Sequence, residues 1–195
     1  MALAGARRAL FAIAGALLAF GAFQIASASW IHAKAVVAQH LISSSWRQAL
    51  DAGNAPRRPW PWADMRPIAR LSVPARGIEL YIMDSAGNNA LAFGPAHVSG
   101  TAAPGSWGNA VIVGHRDTHF AFLRSLAPDD EIEIEIANGN LARYRVRDVA
   151  IVDKSETRVL DDADSAQLTL ITCYPFDAVR PGTALRYVVI AERAR

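Results

Sequence analysis

Only one cysteine, Cys173, occurs among the 195 residues. An intramolecular disulfide is therefore excluded, and so is a zinc site built from cysteines alone. Lysine and arginine form no long block, and the formal net charge is only +2. A nucleic-acid binder shows a basic stripe with aromatics or a known motif. Neither is present, so no nucleic-acid partner is expected. Hydrophobic residues make up 52% of the chain, which excludes disorder throughout. No internal repeat is apparent.

Part of that apolar content is concentrated at the N-terminus. Arg7 and Arg8 precede an uncharged run from Ala9 to Ile31. As a helix the run would reach roughly 34 Å, enough to cross a bilayer core. Arginines before the run favour a cytoplasmic N-terminus, and Trp30 suits the far lipid–water interface. Ala26-Ser27-Ala28 would also serve as a signal-peptide cleavage site. Either reading places the following domain outside the cytoplasm, where a lone free thiol is unusual. Residues 1–31 are therefore expected to be a membrane anchor or signal peptide. Residues 32–62 read as a helical stalk and linker, and residues 63–195 as the catalytic domain.

Within the stalk, Val37, Leu41, Ile42, Trp46, Ala49 and Leu50 recur near helical spacing, predicting a helix over Ala33–Leu50. Gly53, Asn54 and Pro56 end it, and Arg57-Arg58-Pro59-Trp60-Pro61-Trp62 forms a linker. From Ile68 onward the pattern is mostly strand. The candidates are 78–82, 111–113, 131–136, 144–152, 168–172 and 185–191. In 131–136 acid and isoleucine alternate strictly, predicting a half-buried strand with a solvated acidic face. Short runs separated by Gly, Pro, Asn and Asp indicate a mainly β barrel or sandwich with short helices.

Three segments carry reactive side chains at strand ends. Val111-Ile112-Val113-Gly114 leads into His115, and Leu168-Thr169-Leu170-Ile171-Thr172 leads into Cys173. Arg186 opens the last apolar run, 185–190. A cysteine at a strand end is rigidly held yet reachable from a loop-lined cleft. Histidine exchanges protons near neutral pH, and arginine can donate two hydrogen bonds to an oxyanion. Together these parts suffice for acyl transfer through a thioester. Each has a plainer reading: Cys173 as packing, His115 as a structural histidine, Arg186 in a surface ion pair.

Thr169-Leu170-Ile171-Thr172-Cys173 resembles the TLxTC signature of sortases. Val113-Gly114-His115-Arg116 is similar to the segment that carries the sortase histidine, and Arg186 stands where the family has its arginine. The stretch from Phe93-Gly94-Pro95 to Gly100-Thr101-Ala102-Ala103-Pro104-Gly105 resembles the loop before that histidine. The resemblance runs from about Ile68 to Ala191. It implies an eight-stranded sortase-type β-barrel. It implies that Cys173 attacks the scissile carbonyl, His115 protonates the leaving amine and Arg186 stabilises the oxyanion or holds substrate. Thr172 would orient substrate and oxyanion. The implied partners are a protein bearing an LPxTG-like sorting signal, an amine-bearing acceptor, and the inner membrane through the N-terminal helix. No cofactor or metal is implied. Cys173-Tyr174-Pro175-Phe176-Asp177 and Trp60-Pro61-Trp62-Ala63-Asp64 resemble the sortase group of Gram-negative bacteria, implying a periplasm-facing enzyme.

Other readings fit less well. His115 and His119 have the spacing of a zinc helix, but Arg116 stands where that motif needs glutamate. His119 is the alternative acid, and His97 reads as a turn-stabilising residue. Asp161-Asp162-Ala163-Asp164 lacks the spaced ligands of a calcium loop and reads as a solvated turn. The histidine–glycine–cysteine cluster of L,D-transpeptidases is absent, and papain-like enzymes place cysteine before histidine. An anchored β-barrel that only binds a partner, or a cysteine hydrolase on the same fold, remain as alternatives.

Overall fold

The computed structural model describes residues 2–180 and 182–194; the side chains of 2–12, 28, 31, 32 and 88 lie outside that description. The chain separates into two compact units, Met1–His40 and Leu41–Arg195. One helix, α1 (Ala2–Ala52), forms the first unit and enters the second. Among the described residues no helix is long and apolar enough to cross a membrane. The anchor expected over 1–31 begins in residues whose side chains are not described.

In the second unit the expected helical stripe is used for packing. Ile42, Trp46 and Ala49 are buried, whereas Leu41 is exposed. Ile42 joins Met65, Met83 and Ala96 in one cluster, and Trp46 lies 6.2 Å from the Tyr81 ring. The last turns of α1 therefore belong to the globular unit.

Eight strands form a closed barrel: β1 (Pro67–Val73), β2 (Ile78–Met83), β3 (Ala96–His97), β4 (Asn109–Val113), β5 (Glu131–Ile136), β6 (Leu141–Asp153), β7 (Gln167–Tyr174) and β8 (Leu185–Arg193). Their order around the barrel is β1-β2-β3-β4-β7-β8-β6-β5. A short helix, α2 (Asn88–Leu91), and three short 3-10 turns complete the unit.

Side chains alternate between the two faces of each strand, and the burial follows. Ile132 and Ile134 of β5 point into the barrel with Leu168, Leu170, Ile112 and Val189. Each such fully buried side chain contributes about 1.5–3 kcal/mol. The glutamates of β5 face outward as expected, but they are more than a solvated face. Glu135 pairs with Arg70 at 2.8 Å and Glu133 with Arg143 at 3.0 Å. A second apolar cluster lies on the outer face of β4, β7 and β8: Val111, Ile171 and Val188, flanked by Val98, Val113, Val152 and Val159.

Candidate active site

Strand register brings the reactive residues to one edge of the outer row. β4 and β7 run parallel, with Val113 opposite Ile171. β7 and β8 run antiparallel, with Ile171 opposite Val188 and Cys173 opposite Arg186. Side chains two residues apart on a strand share a face. Cys173 therefore continues the face of Ile171, and Arg186 that of Val188. His115 lies two residues beyond Val113, as Cys173 lies two beyond Ile171. Cys173 and Arg186 thus face each other at the ends of β7 and β8, and His115 follows the adjacent β4 by two residues. The β4–β7 register ends two residues before His115 and Cys173, and among the described residues no hydrogen bond joins these two.

Cys173 is partly exposed and unpaired. Iodoacetamide should alkylate it in the folded chain, as read by mass spectrometry. Labelling only after denaturation would contradict its placement at the site.

Thr172 faces the other way. It is 2% exposed, and its Oγ1 donates to Gly114 O at 2.7 Å. Gly114 N in turn donates to Ile171 O at 3.2 Å. These two bonds fasten the histidine end of β4 to the cysteine end of β7. Glycine is needed at position 114, since a Cβ there would sit 2.9 Å from the Phe120 ring. Phe120 N donates to His115 O at 2.9 Å, closing the turn after the histidine.

His115 is exposed, whereas His119 is half-buried. Burial holds the His119 imidazole below its ordinary range; the nearby His115 adds to this and Asp117 opposes it. His97 serves its own loop, as its Nε2 meets Ala102 O at 2.9 Å and Thr101 Oγ1 at 3.1 Å. Arg186 Nη1 donates to Thr183 O at 2.7 Å and Leu185 O at 2.9 Å. Its charge reaches Asp153, whose carboxyl is held low chiefly by hydrogen bonds from Ser155, with Lys154 and Arg186 adding to them.

The sequence reading gave several residues around the site no packing or bonding role. Tyr174 stacks on Tyr187 with ring centroids 6.1 Å apart, and Phe176 meets Tyr187 edge-on at 5.1 Å. This aromatic group borders Cys173 and Arg186 along the chain. Strand spacing alone gave no signal for it.

Asn109 is the second omission. It is 2% exposed, and its Nδ2 donates to Val159 O at 3.1 Å and Asp161 O at 2.9 Å. Its Oδ1 accepts from Thr169 Oγ1 at 2.7 Å. Asp162, expected in a solvated turn, accepts the Asn109 backbone N–H at 3.1 Å. Together these bonds hold the β6–β7 segment so that Val159 packs on the outer apolar row. Asn109→Ala leaves two carbonyls without their donor and the Thr169 hydroxyl proton without its acceptor, though Gln167 Nε2 still donates to that oxygen at 3.1 Å; the loss should cost about 2–3 kcal/mol. Chemical denaturation reads this as a lowered midpoint; an unchanged midpoint would contradict it.

A cavity of about 400 Å³ beside the end of α1, lined by Leu41, Ser45, Gln48 and Arg57 among others, shares no residue with the Cys173 face. We take the strand-end cluster as the candidate site, because it alone joins a thiol to an acid–base group.

Residues 71–194 match the family model described as a sortase domain. Over 125 residues the chain is 31% identical to sortase D of Bacillus subtilis (strain 168), covering 63% of this chain and 62% of that protein. Over 129 residues it is 31% identical to sortase A of Bacillus anthracis, covering 64% of this chain and 59% of that protein. The chain thus spans less than two thirds of either curated relative. Its fold is similar to that of a Clostridium perfringens sortase D5 transpeptidase, with TM-score 0.66 and 21% identity, covering 82% of this chain and 99% of that one. A lid mutant of Corynebacterium diphtheriae sortase A gives TM-score 0.61 at 25% identity, covering 82% and 95%.

Proposed function

The chain belongs to the sortase family, and from that membership we propose that it is a cysteine transpeptidase acting on a protein sorting signal. The observation that carries the proposal is the register that sets Cys173 opposite Arg186 and beside the His115 end of β4.

In the first half-reaction the Cys173 sulfur, having passed its proton to His115, attacks the scissile carbonyl carbon. The carbonyl oxygen takes up the negative charge, and Arg186 donates to it. The C–N bond then breaks, His115 gives its proton to the leaving amine, and a thioester remains on Cys173. In the second half an acceptor amine attacks the thioester and His115 takes its proton. The C–S bond breaks and the free cysteine returns. Thr172 acts from beneath, steadying Gly114 and hence the approach of His115. The substrate is a protein with an LPxTG-like signal.

A cysteine acyl-enzyme can be resolved by water or by an amine. Adding a primary amine to the enzyme and an LPxTG-type peptide should divert product from acid to amide. Product that stays entirely acid across several amines would leave a cysteine hydrolase on this fold.

The subgroup and compartment are finer proposals. The relatives named above are Gram-positive sortases, so membership of the Gram-negative group rests on the Trp60–Asp64 and Cys173–Asp177 segments. Anchoring in the inner membrane rests on Arg7, Arg8 and the uncharged run after them. Leu17, Leu18, Phe20, Phe23 and Ile25 are all exposed on α1, consistent with lipid around it. Tethering would raise the effective concentration of substrates held in the same membrane. A reporter that matures only outside the cytoplasm, fused after Pro67, should be active. Activity there of a reporter that works only in the cytoplasm would overturn the topology.

A further inference from the structure

Arg116 follows His115 directly, and its guanidinium is occupied by the segment between β7 and β8. Nη1 donates to Thr183 Oγ1 at 3.2 Å. Nη2 donates to Ala178 O at 2.7 Å and to Arg180 O at 3.1 Å. All three acceptors are uncharged oxygens, so the guanidinium grips backbone and hydroxyl rather than neutralising an acid. Thr183 is bonded a second time: its carbonyl accepts from Arg186 Nη1 at 2.7 Å. A single threonine therefore links the residue beside His115 to the residue opposite Cys173.

The segment has few other restraints. Val179 is 98% exposed, and the residues on either side of it are partly or fully exposed. Among its described residues, none between Phe176 and Tyr187 joins the barrel core cluster. A loop with little buried apolar contact opens readily, so bonds from a rigid neighbour decide where it rests. A planar fork that serves three acceptors at once is geometry that a lysine ammonium does not reproduce.

We infer that Arg116 is a positioning residue: it fixes the 178–183 segment, and through Thr183 the guanidinium of Arg186, relative to the histidine end of β4. The kinetic consequence rests on the transpeptidase reading; the structural consequence rests on the hydrogen bonds alone. Arg116 touches no reacting atom in this scheme. It acts by holding Arg186 where the oxyanion forms, and small misplacements of such a group are costly.

The test uses the full chain with Arg116→Gln, Arg116→Lys, Thr183→Val and Thr183→Ser, and two readouts. The first is amide hydrogen exchange without any peptide. Arg116→Gln should speed exchange over 174–184 about tenfold or more, with residues 168–171 and 188–191 still protected. Unchanged exchange over 174–184 overturns the inference whether or not the protein turns over a peptide. The second readout is turnover of a quenched LPxTG-type peptide. Arg116→Gln and Thr183→Val should lower kcat about tenfold with KM within about twofold. Thr183→Ser should keep the activity, and Arg116→Lys should fall between. On an Arg186→Ala background, Arg116→Gln should cost less than about twofold more, because the group it positions is gone. Full additivity there, or a loss confined to KM, overturns the role toward Arg186. If Arg116→Gln does not fold, the Thr183→Val and Thr183→Ser pair decides by the same two readouts. If the unchanged protein leaves the peptide intact, the transpeptidase reading fails, and exchange alone decides the clamp.

Discussion

His115→Ala should lower both hydrolysis and amine transfer by on the order of a thousandfold, within the range that a positioned acid–base group contributes. In the proposed mechanism both half-reactions pass a proton through this one imidazole, so neither product should be spared. The exposed His115 follows β4 by two residues, and the last residue of β4, Val113, pairs with Ile171, two residues before Cys173. His119→Ala should leave activity within severalfold of the unchanged protein. Its imidazole is held below the ordinary range, first by burial and then by His115, so it spends less time as the charged acid. Chromatographic quantification of both products for the two variants checks this. A severe loss with His119→Ala and a mild one with His115→Ala would transfer the acid role to His119.

Arg186→Ala should lower turnover on the order of a hundredfold or more, the usual consequence of losing a donor aimed at an oxyanion. Arg186→Lys should restore only part of it, since lysine lacks the planar fork. The register that sets Arg186 opposite Cys173 carries this expectation. Its Nη1 is already held by Thr183 and Leu185 carbonyls, which leaves the rest of the guanidinium for substrate. Arg180→Ala should be mild, because the segment uses the Arg180 carbonyl, which the substitution keeps. Steady-state kcat for the three variants checks the assignment. Reversed effects would give the role to Arg180.

Much of the barrel was legible because its strands alternate cleanly. The strand expected at 131–136 is β5, Glu131–Ile136. The expectations at 168–172 and 185–191 fall inside β7 and β8, each short by a residue or two at an end. β3 was not legible: Ala96–His97 is too short to show a period. The count of eight came from family resemblance rather than from periodicity. α1 runs through both the expected anchor and the expected stalk as one helix, since no Gly or Pro stop separates them.

At the site, the order of His115, Cys173 and Arg186 at strand edges was readable, but their meeting depends on β4 pairing with β7 across 58 positions and on Cys173 pairing with Arg186 across 13, which spacing cannot supply. The supporting residues were hidden for a related reason. Asn109 and Arg116 bond mainly to backbone carbonyls 50 to 64 positions away, and a carbonyl leaves no mark on residue type. The resemblance implies that Thr172 helps orient substrate and oxyanion; the bond from its side chain to the Gly114 carbonyl was not legible, because strand alternation sets that direction only once the register is known.

The most direct test of the account is mass spectrometry of the full chain mixed with an LPxTG-type peptide and quenched in acid. The account predicts a mass increase equal to the acyl fragment, mapped to the peptide containing Cys173, reversed by hydroxylamine and absent in Cys173→Ala. An intact peptide with an unmodified Cys173, or an adduct on any other residue, would contradict it.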